Sequence, residues 1–147
     1  MPEREALLQE AIRLAADNRT RGGRPFGAVL AIGGEIVATG VNGINQSHDP
    51  TSHAELEALR AAGQRLGRAD LSGSEMYASG HPCPMCLAAM IMAGVGTVYY
   101  AFDNQDAAPY GLSSEATYQR LGLKLDPPPM PLVRLSVGVT AANLYGG

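Results

Sequence analysis

The spacing of apolar residues changes period along the chain, and these changes mark out its elements. Over residues 3–18, Leu7, Ala11, Leu14 and Ala15 recur at helical spacing with charges between them, which predicts an amphipathic helix. "RTRGGRP" breaks that pattern. "FGAVLAIGGEIVATGVN" then reads as a hairpin, an apolar run and a second strand joined at Gly33 and Gly34. "GINQSHDPTS" is rich in turn formers and reads as a loop. "HAELEALRAAGQRLG" returns to the helical period, with Thr51 or Ser52 as its cap and Gly63 or Gly67 as its end. A short strand "EMYAS", a helical "CLAAMIMAG" and a β-branched, aromatic strand "GTVYYAF" follow. "DNQDAAPYGLSS" reads as a loop and "EATYQRLGL" as a short helix. "DPPPMP" is a stiff connector, "LVRLSVGV" a last strand and "AANLYGG" at most one helical turn.

The resulting order, α-β-β-α-β-α-β-α-β, implies one mixed sheet covered by helices on both faces. The last strand–helix–strand crossover makes the final two strands parallel. No repeat or low-complexity linker divides the chain, so residues 1–147 are expected to form a single domain. Ligands in such sheets gather at strand ends and helix N-termini. "TSHAE" and "HPCPMC" both fall at predicted helix starts.

Composition narrows the classes. With 46% apolar and 17% charged residues the chain is globular rather than disordered. No apolar run has the ~18 residues needed to cross a bilayer. The N-terminal segment is acidic and amphipathic, the wrong character for a signal peptide, so a cytoplasmic location is expected. A net charge of −3 argues against a nucleic-acid partner. The one basic concentration, Arg19, Arg21 and Arg24, reads as a solvated loop beside a helix end.

The chain has two cysteines, Cys83 and Cys86, in "HPCPMC". In a reducing compartment they are a redox pair or metal ligands rather than a structural disulfide. A catalytic zinc site takes three protein ligands and keeps a position for water. Of the three histidines, His48, His53 and His81, His53 stands out because Glu55 follows two residues on. A neutral imidazole and two thiolates balance Zn²⁺. Helix N-termini favour the thiolate form, and Pro82 and Pro84 suit a helix entry whose N–H groups lack partners. Glu55 is a carboxylate placed to take a proton from water and deliver it to a leaving amine.

"HAE…PCPMC" resembles the zinc-dependent cytidine deaminase superfamily, with its H-x-E…P-C-x-x-C signature. Within it, "PFGAV", Asn42, "DPTSHAE", "CPMCLAA" and "DNQDAAPYG" look closest to bacterial guanine deaminases, with tRNA adenosine deaminases next. The resemblance implies a three-layer α/β/α sandwich around a five-stranded mixed sheet. It implies one Zn²⁺ per chain on His53, Cys83 and Cys86, Glu55 as proton shuttle, and Phe26 and Asn42 against a base. Ala54, His81, Met92, Ser114 and Glu115 complete the candidate substrate contacts. The implied substrate is a small heterocyclic amine, hydrolysed with loss of ammonia by a homodimer.

Several positions depart from the guanine deaminases. Their aspartate pair gives way here to Ser113 and Ser114, with Glu115 one step later. Met92 stands for a large aromatic, His81 for a glutamate before "PC", and the chain stops at "NLYGG" without their longer aromatic-ended segment, leaving room for a partner chain to complete the pocket. These departures fall on base recognition, so a tRNA adenosine deaminase and a cytosine, creatinine or s-triazine deaminase stay as alternatives. So do a non-catalytic zinc module and a thiol oxidoreductase.

Overall fold

The computed structural model describes residues 2–146. Helix α1 (Pro2–Thr20) leads into the hairpin β1 (Gly27–Ile32) and β2 (Glu35–Val41). A single-turn helix α2 (Ile44–Ser47), then α3 (Ala54–Leu66), β3 (Ser74–Gly80), α4 (Pro84–Ala93) and β4 (Thr97–Phe102) follow. Next come α5 (Asn104–Ala107), a 3-10 turn (Ala108–Tyr110), α6 (Glu115–Leu121), β5 (Leu132–Arg134) and a π-type turn (Ala142–Gly146). The strands form one mixed sheet in the order β2-β1-β3-β4-β5. β1 runs antiparallel to β2 and β3, while β3, β4 and β5 are mutually parallel, as the crossover rule requires.

The sheet is buried on both sides because successive side chains point to opposite faces. Ala28, Leu30, Met76, Ala78 and Val98 enter one core with Ala54, Ala58 and Ala62 of α3 and Leu87 and Met90 of α4. Val29, Ala31, Tyr77, Tyr99 and Ala101 enter a second core with Leu7, Leu8, Ala11 and Ala15 of α1. These two cores make the α/β/α layers. Two glycines set the spacing between layers. A Cβ on Gly27 would fall on the Ala11 carbonyl oxygen of α1, and one on Gly40 on the Ala54 carbonyl oxygen of α3. With hydrogen there, each helix backbone lies directly against the hairpin.

The helix over residues 3–18, the hairpin turn at Gly33 and Gly34, and the Gly67 cap, at φ 67°, match the sequence reading. Four local readings change. Residues 44–47 form α2 rather than plain loop, and residues 104–107 form α5, closed by a capping box between Asp103 and Asp106. The cap position of α3 is His53, not Thr51 or Ser52. Ser52 instead donates to the Glu57 carboxylate at 2.8 Å. Strand β5 covers three residues of the predicted eight, because its pairing with β4 ends at Arg134.

The hairpin's close approach to α3 is testable. Gly40→Ala must push α3 off β2, and overpacking of this kind costs about 1–3 kcal/mol. Urea unfolding should show that loss, together with weakened metal binding, because α3 carries His53.

Candidate active site

All the chemistry-bearing segments meet at one end of the sheet. The ends of β2, β3 and β4 lie there with the starts of β1, α3 and α4. His53 occupies the N-cap of α3 and Cys83 the N-cap of α4, where the Cys83 sulfur accepts from the Cys86 backbone N–H. Cys86 sits one turn into α4 and is fully buried. His53 Nδ1 stands 3.4 Å from Cys83 Sγ and 3.4 Å from Cys86 Sγ. The three ligand atoms lie within 4.8 Å of one another.

These distances test the fit of a metal. Zinc bonds of ~2.3 Å to sulfur and ~2.05 Å to nitrogen at tetrahedral angles put N and S ~3.5 Å apart. Both observed separations agree, and they single out Nδ1 as the histidine donor. The donor set, one imidazole and two thiols at helix N-termini, is a catalytic zinc set. The thiols are already polarised. Hydrogen bonding from the Cys86 thiol, then from His53, lowers the Cys83 pKa to about 4. The shared proton and burial push Cys86 up in turn. His53 is raised, first by its contact with Cys83, with the Cys83 and Glu55 charges adding and the Arg24 charge opposing.

Glu55 projects from the first turn of α3 into the same space, 8% exposed. Burial, and secondarily the Cys83 charge, raises its pKa to about 7. A carboxyl poised near neutrality suits proton exchange in both directions.

A cleft of about 360 Å³ opens over these groups. Phe26, Asn42, Ala54, His81 and Ser114 line it, alongside His53, Glu55 and Cys83. Two candidates fall outside the lining. Met92 is 87% exposed on the outer face of α4, since six residues of helix past Cys86 turn it about 120° away. Glu115 is the first residue of α6 and its side chain faces solvent, while Ser113, Ser114 and Thr117 face the cleft. His48 is an exposed loop residue, as expected from sequence, in a left-handed conformation at the end of α2.

The cleft also takes in residues read differently from sequence. Met85 is not among the contacts named from sequence. It lines the cleft from the first turn of α4, next to Cys86 in sequence but turned about 100° from it. Arg24, read as part of a solvated loop, lines it too. Its place two residues before Phe26 was the available signal.

The walls are held from behind. Pro82 O accepts from the Tyr118 hydroxyl and lies 2.9 Å from His81 Nδ1, tying α6 and His81 to the cysteine loop. The His81 ring meets Tyr100 and Tyr118 edge-on at 5.0 and 5.7 Å. Asn104 Oδ1 accepts the Ser114 N–H at 2.9 Å. Arg134 of β5 clamps Asp103 and Asp106 at 2.8 and 2.6 Å, holding the loop after β4.

A mixed five-stranded sheet that delivers His, Cys and Cys from two helix N-termini, with a buried glutamate beside them, defines a zinc-dependent deaminase site. Residues 1–102 match the cytidine and deoxycytidylate deaminase zinc-binding region, and the chain belongs to that family. It is 37% identical to the guanine deaminase of Bacillus subtilis over 134 residues, covering 90% of this chain and 86% of that one. The crystal structure of that enzyme superposes with a TM-score of 0.78 at 36% identity, over 91% of this chain and 86% of that one. A tRNA-specific adenosine deaminase of Agrobacterium fabrum is 35% identical over 68% of this chain, which spans 66% of that enzyme. The guanine deaminase of Nitrosomonas europaea shares the fold at 24% identity, with a TM-score of 0.80 over 97% of this chain and 82% of that one.

Purified protein should carry one zinc per chain by metal analysis. Cys83→Ala and His53→Ala should each fall well below half loading. Stripping zinc with a chelator should lower the thermal midpoint, because binding free energy at such a site is also folding free energy.

Proposed function

We propose that this chain is a hydrolytic deaminase of a free aminated nucleobase, with guanine the leading substrate. The overall change replaces a ring C–NH2 by C=O, consuming water and releasing ammonia. The observation that carries the reading is Glu55, buried beside the His53–Cys83–Cys86 set and open to the cleft. Support for guanine comes from the relationship to the Bacillus subtilis enzyme over most of both chains.

His53, Cys83 and Cys86 would hold Zn²⁺, which supplies the Lewis acidity that makes water nucleophilic at neutral pH. Glu55 takes the proton of the attacking water and passes it to the ring nitrogen next to the amine-bearing carbon. It then carries a second proton to the departing amine. A group near neutrality serves each of these transfers, and its confinement keeps it beside the reacting atoms. Asn42 is 3% exposed, and its Oδ1 accepts the Ile44 N–H at 3.0 Å. An N–H can only donate, so that contact assigns the oxygen and leaves the Asn42 NH2 to a base acceptor. Phe26 packs against the ring. Ala54 keeps the floor between His53 and Glu55 small enough for a planar heterocycle, and His81 and Ser114 bound its sides.

The same reading places the protein in the cytoplasm, where free cysteines stay reduced. No helix among the described residues is long and apolar enough to cross a membrane. We further infer a homodimer through α4. Met85, Ala88 and Met92 make an exposed apolar stripe along its outer face, and that stripe begins at the cleft. Sedimentation should find a dimer at micromolar concentration, and Met92→Glu should shift it towards monomer.

Glu55→Gln preserves shape and abolishes proton transfer. Ammonia release from guanine should fall by ~10²–10⁴-fold or more, since one group serves several steps. Zinc content and thermal midpoint should stay unchanged. Near-normal turnover would refute the assignment, and joint loss of zinc and activity would move Glu55 into the metal's ligand set. A panel of guanine, adenine, cytosine, creatinine, aminotriazines and tRNA decides the substrate.

A further inference from the structure

The cleft beyond the metal set is uneven in its hydrogen-bonding groups. Apart from Glu55, it has no carboxylate among its described lining residues. Two of the side chains that line it carry hydrogen-bond donors. Asn42 presents its NH2, as its contact with Ile44 dictates. Arg24 lines the cleft with an exposed side chain whose charge acts on His53. The backbone of Arg24 is anchored, because its carbonyl accepts from Asn18 Nδ2 at 2.7 Å and from the Phe26 N–H at 2.8 Å. Its Nε lies 3.4 Å from Asn45 Oδ1, and Asn45 Nδ2 donates to Gly22 O at 3.1 Å. With Nε directed to Asn45, both terminal nitrogens are left without an ion-pair partner among the described residues. Arg19 and Arg21 of the same basic run do not line the cleft, and Arg21 pairs with Asp17 at 3.0 Å. Ser113 also lines the cleft, its hydroxyl oxygen accepting the Glu115 N–H at 3.1 Å and its O–H free to donate.

We propose that Arg24 is a specificity-determining residue which, with Asn42, selects heterocycles presenting an anionic or oxo-acceptor edge on the side away from the departing amine. The proposal deepens the deaminase reading and rests on it for the orientation of the ring. A planar fork of donors matches a delocalised oxyanion or two adjacent acceptors better than a neutral amine. An amino-bearing edge set against Asn42 and Arg24 would meet donor with donor, and the buried Asn42 NH2 left without an acceptor is costly. The cleft is thus built for the oxidised, acidic end of the aminopurine and aminotriazine series.

The probe is xanthine, the oxo product expected from guanine and an acid whose ionisation is reachable near neutral pH. Its binding to the zinc-loaded protein is measured by calorimetry on either side of its first ionisation, with wild type and Arg24→Gln in parallel. His53, Glu55, His81 and Cys83 also face the cleft, but they are the same in both proteins and cancel in the comparison. Arg24→Gln should weaken the xanthine anion by about 10- to 100-fold, the range of one charge-assisted hydrogen bond, and neutral xanthine by less than about threefold. Asn45→Ala should give a smaller loss of the same sign, since it frees the guanidinium without removing it. Equal losses in the two ionisation states, no loss, or no xanthine binding to wild type would each overturn the proposal. Ammonia release from guanine by wild type is scored separately. Charge-selective loss in Arg24→Gln without ammonia release from any panel compound would refute the deaminase reading while leaving the anion-selective edge in place.

Discussion

Everything functional in this protein depends on one meeting point, where His53 Nδ1 comes within 3.4 Å of both cysteine sulfurs. The three donors come from the starts of two helices that are separate in sequence and adjacent in space. Each helix start contributes unpaired N–H groups and the positive end of a dipole, so thiolates and a carboxylate can be gathered there at less cost than elsewhere in a core. Holding both thiols ionised beside Glu55 would still be strongly unfavourable without a compensating cation. The site is therefore a demand for a metal as much as a place for one, and its charge set matches Zn²⁺.

The fold satisfies that demand through contacts far from the chemistry. Gly40 lets the α3 backbone lie on β2, which places His53 and Glu55 at the sheet's end. The parallel pairing of β3 with β4 brings the start of α4 to the same end. Tyr118, reaching from α6 to Pro82 O, and Arg134, gripping Asp103 and Asp106, immobilise the two loops that form the remaining walls. The three donors and Glu55 thus sit at helix starts, while much of the remaining cleft lining comes from the segments before β1, after β2 and after β4.

Much of this was legible in the residues. Hydrophobic period located the strands and the longer helices, because burial on one stripe or on both sheet faces leaves a mark in local order. The pair Cys83 and Cys86 with His53 and Glu55 pointed to zinc through charge balance and helix-start placement. Resemblance to the deaminases then assigned their roles. Short elements were harder to see. α2 and α5 are single turns, too brief for a period, and the capping box that closes α5 uses two aspartates that equally suit a loop. Strand β5 was overdrawn because an apolar run marks burial and says nothing about how far a neighbour pairs with it.

The cleft edge shows the same boundary most clearly. Phe26, Asn42, Ala54, His81 and Ser114 were named from sequence and all reach the cleft, whereas Met92 and Glu115 were named with them and lie outside. Arg24, read as part of a solvated loop, and Met85, not named from sequence, lie within it. Zinc chemistry was determined by the sequence itself, since ligand identity, charge and helix-start position are local properties. Which side chains face the substrate was decided only by tertiary structure. One residue along a helix turns a side chain by about 100°, so proximity in sequence to a ligand does not set direction. A loop arginine becomes part of a site only when strands distant in sequence fold it against one.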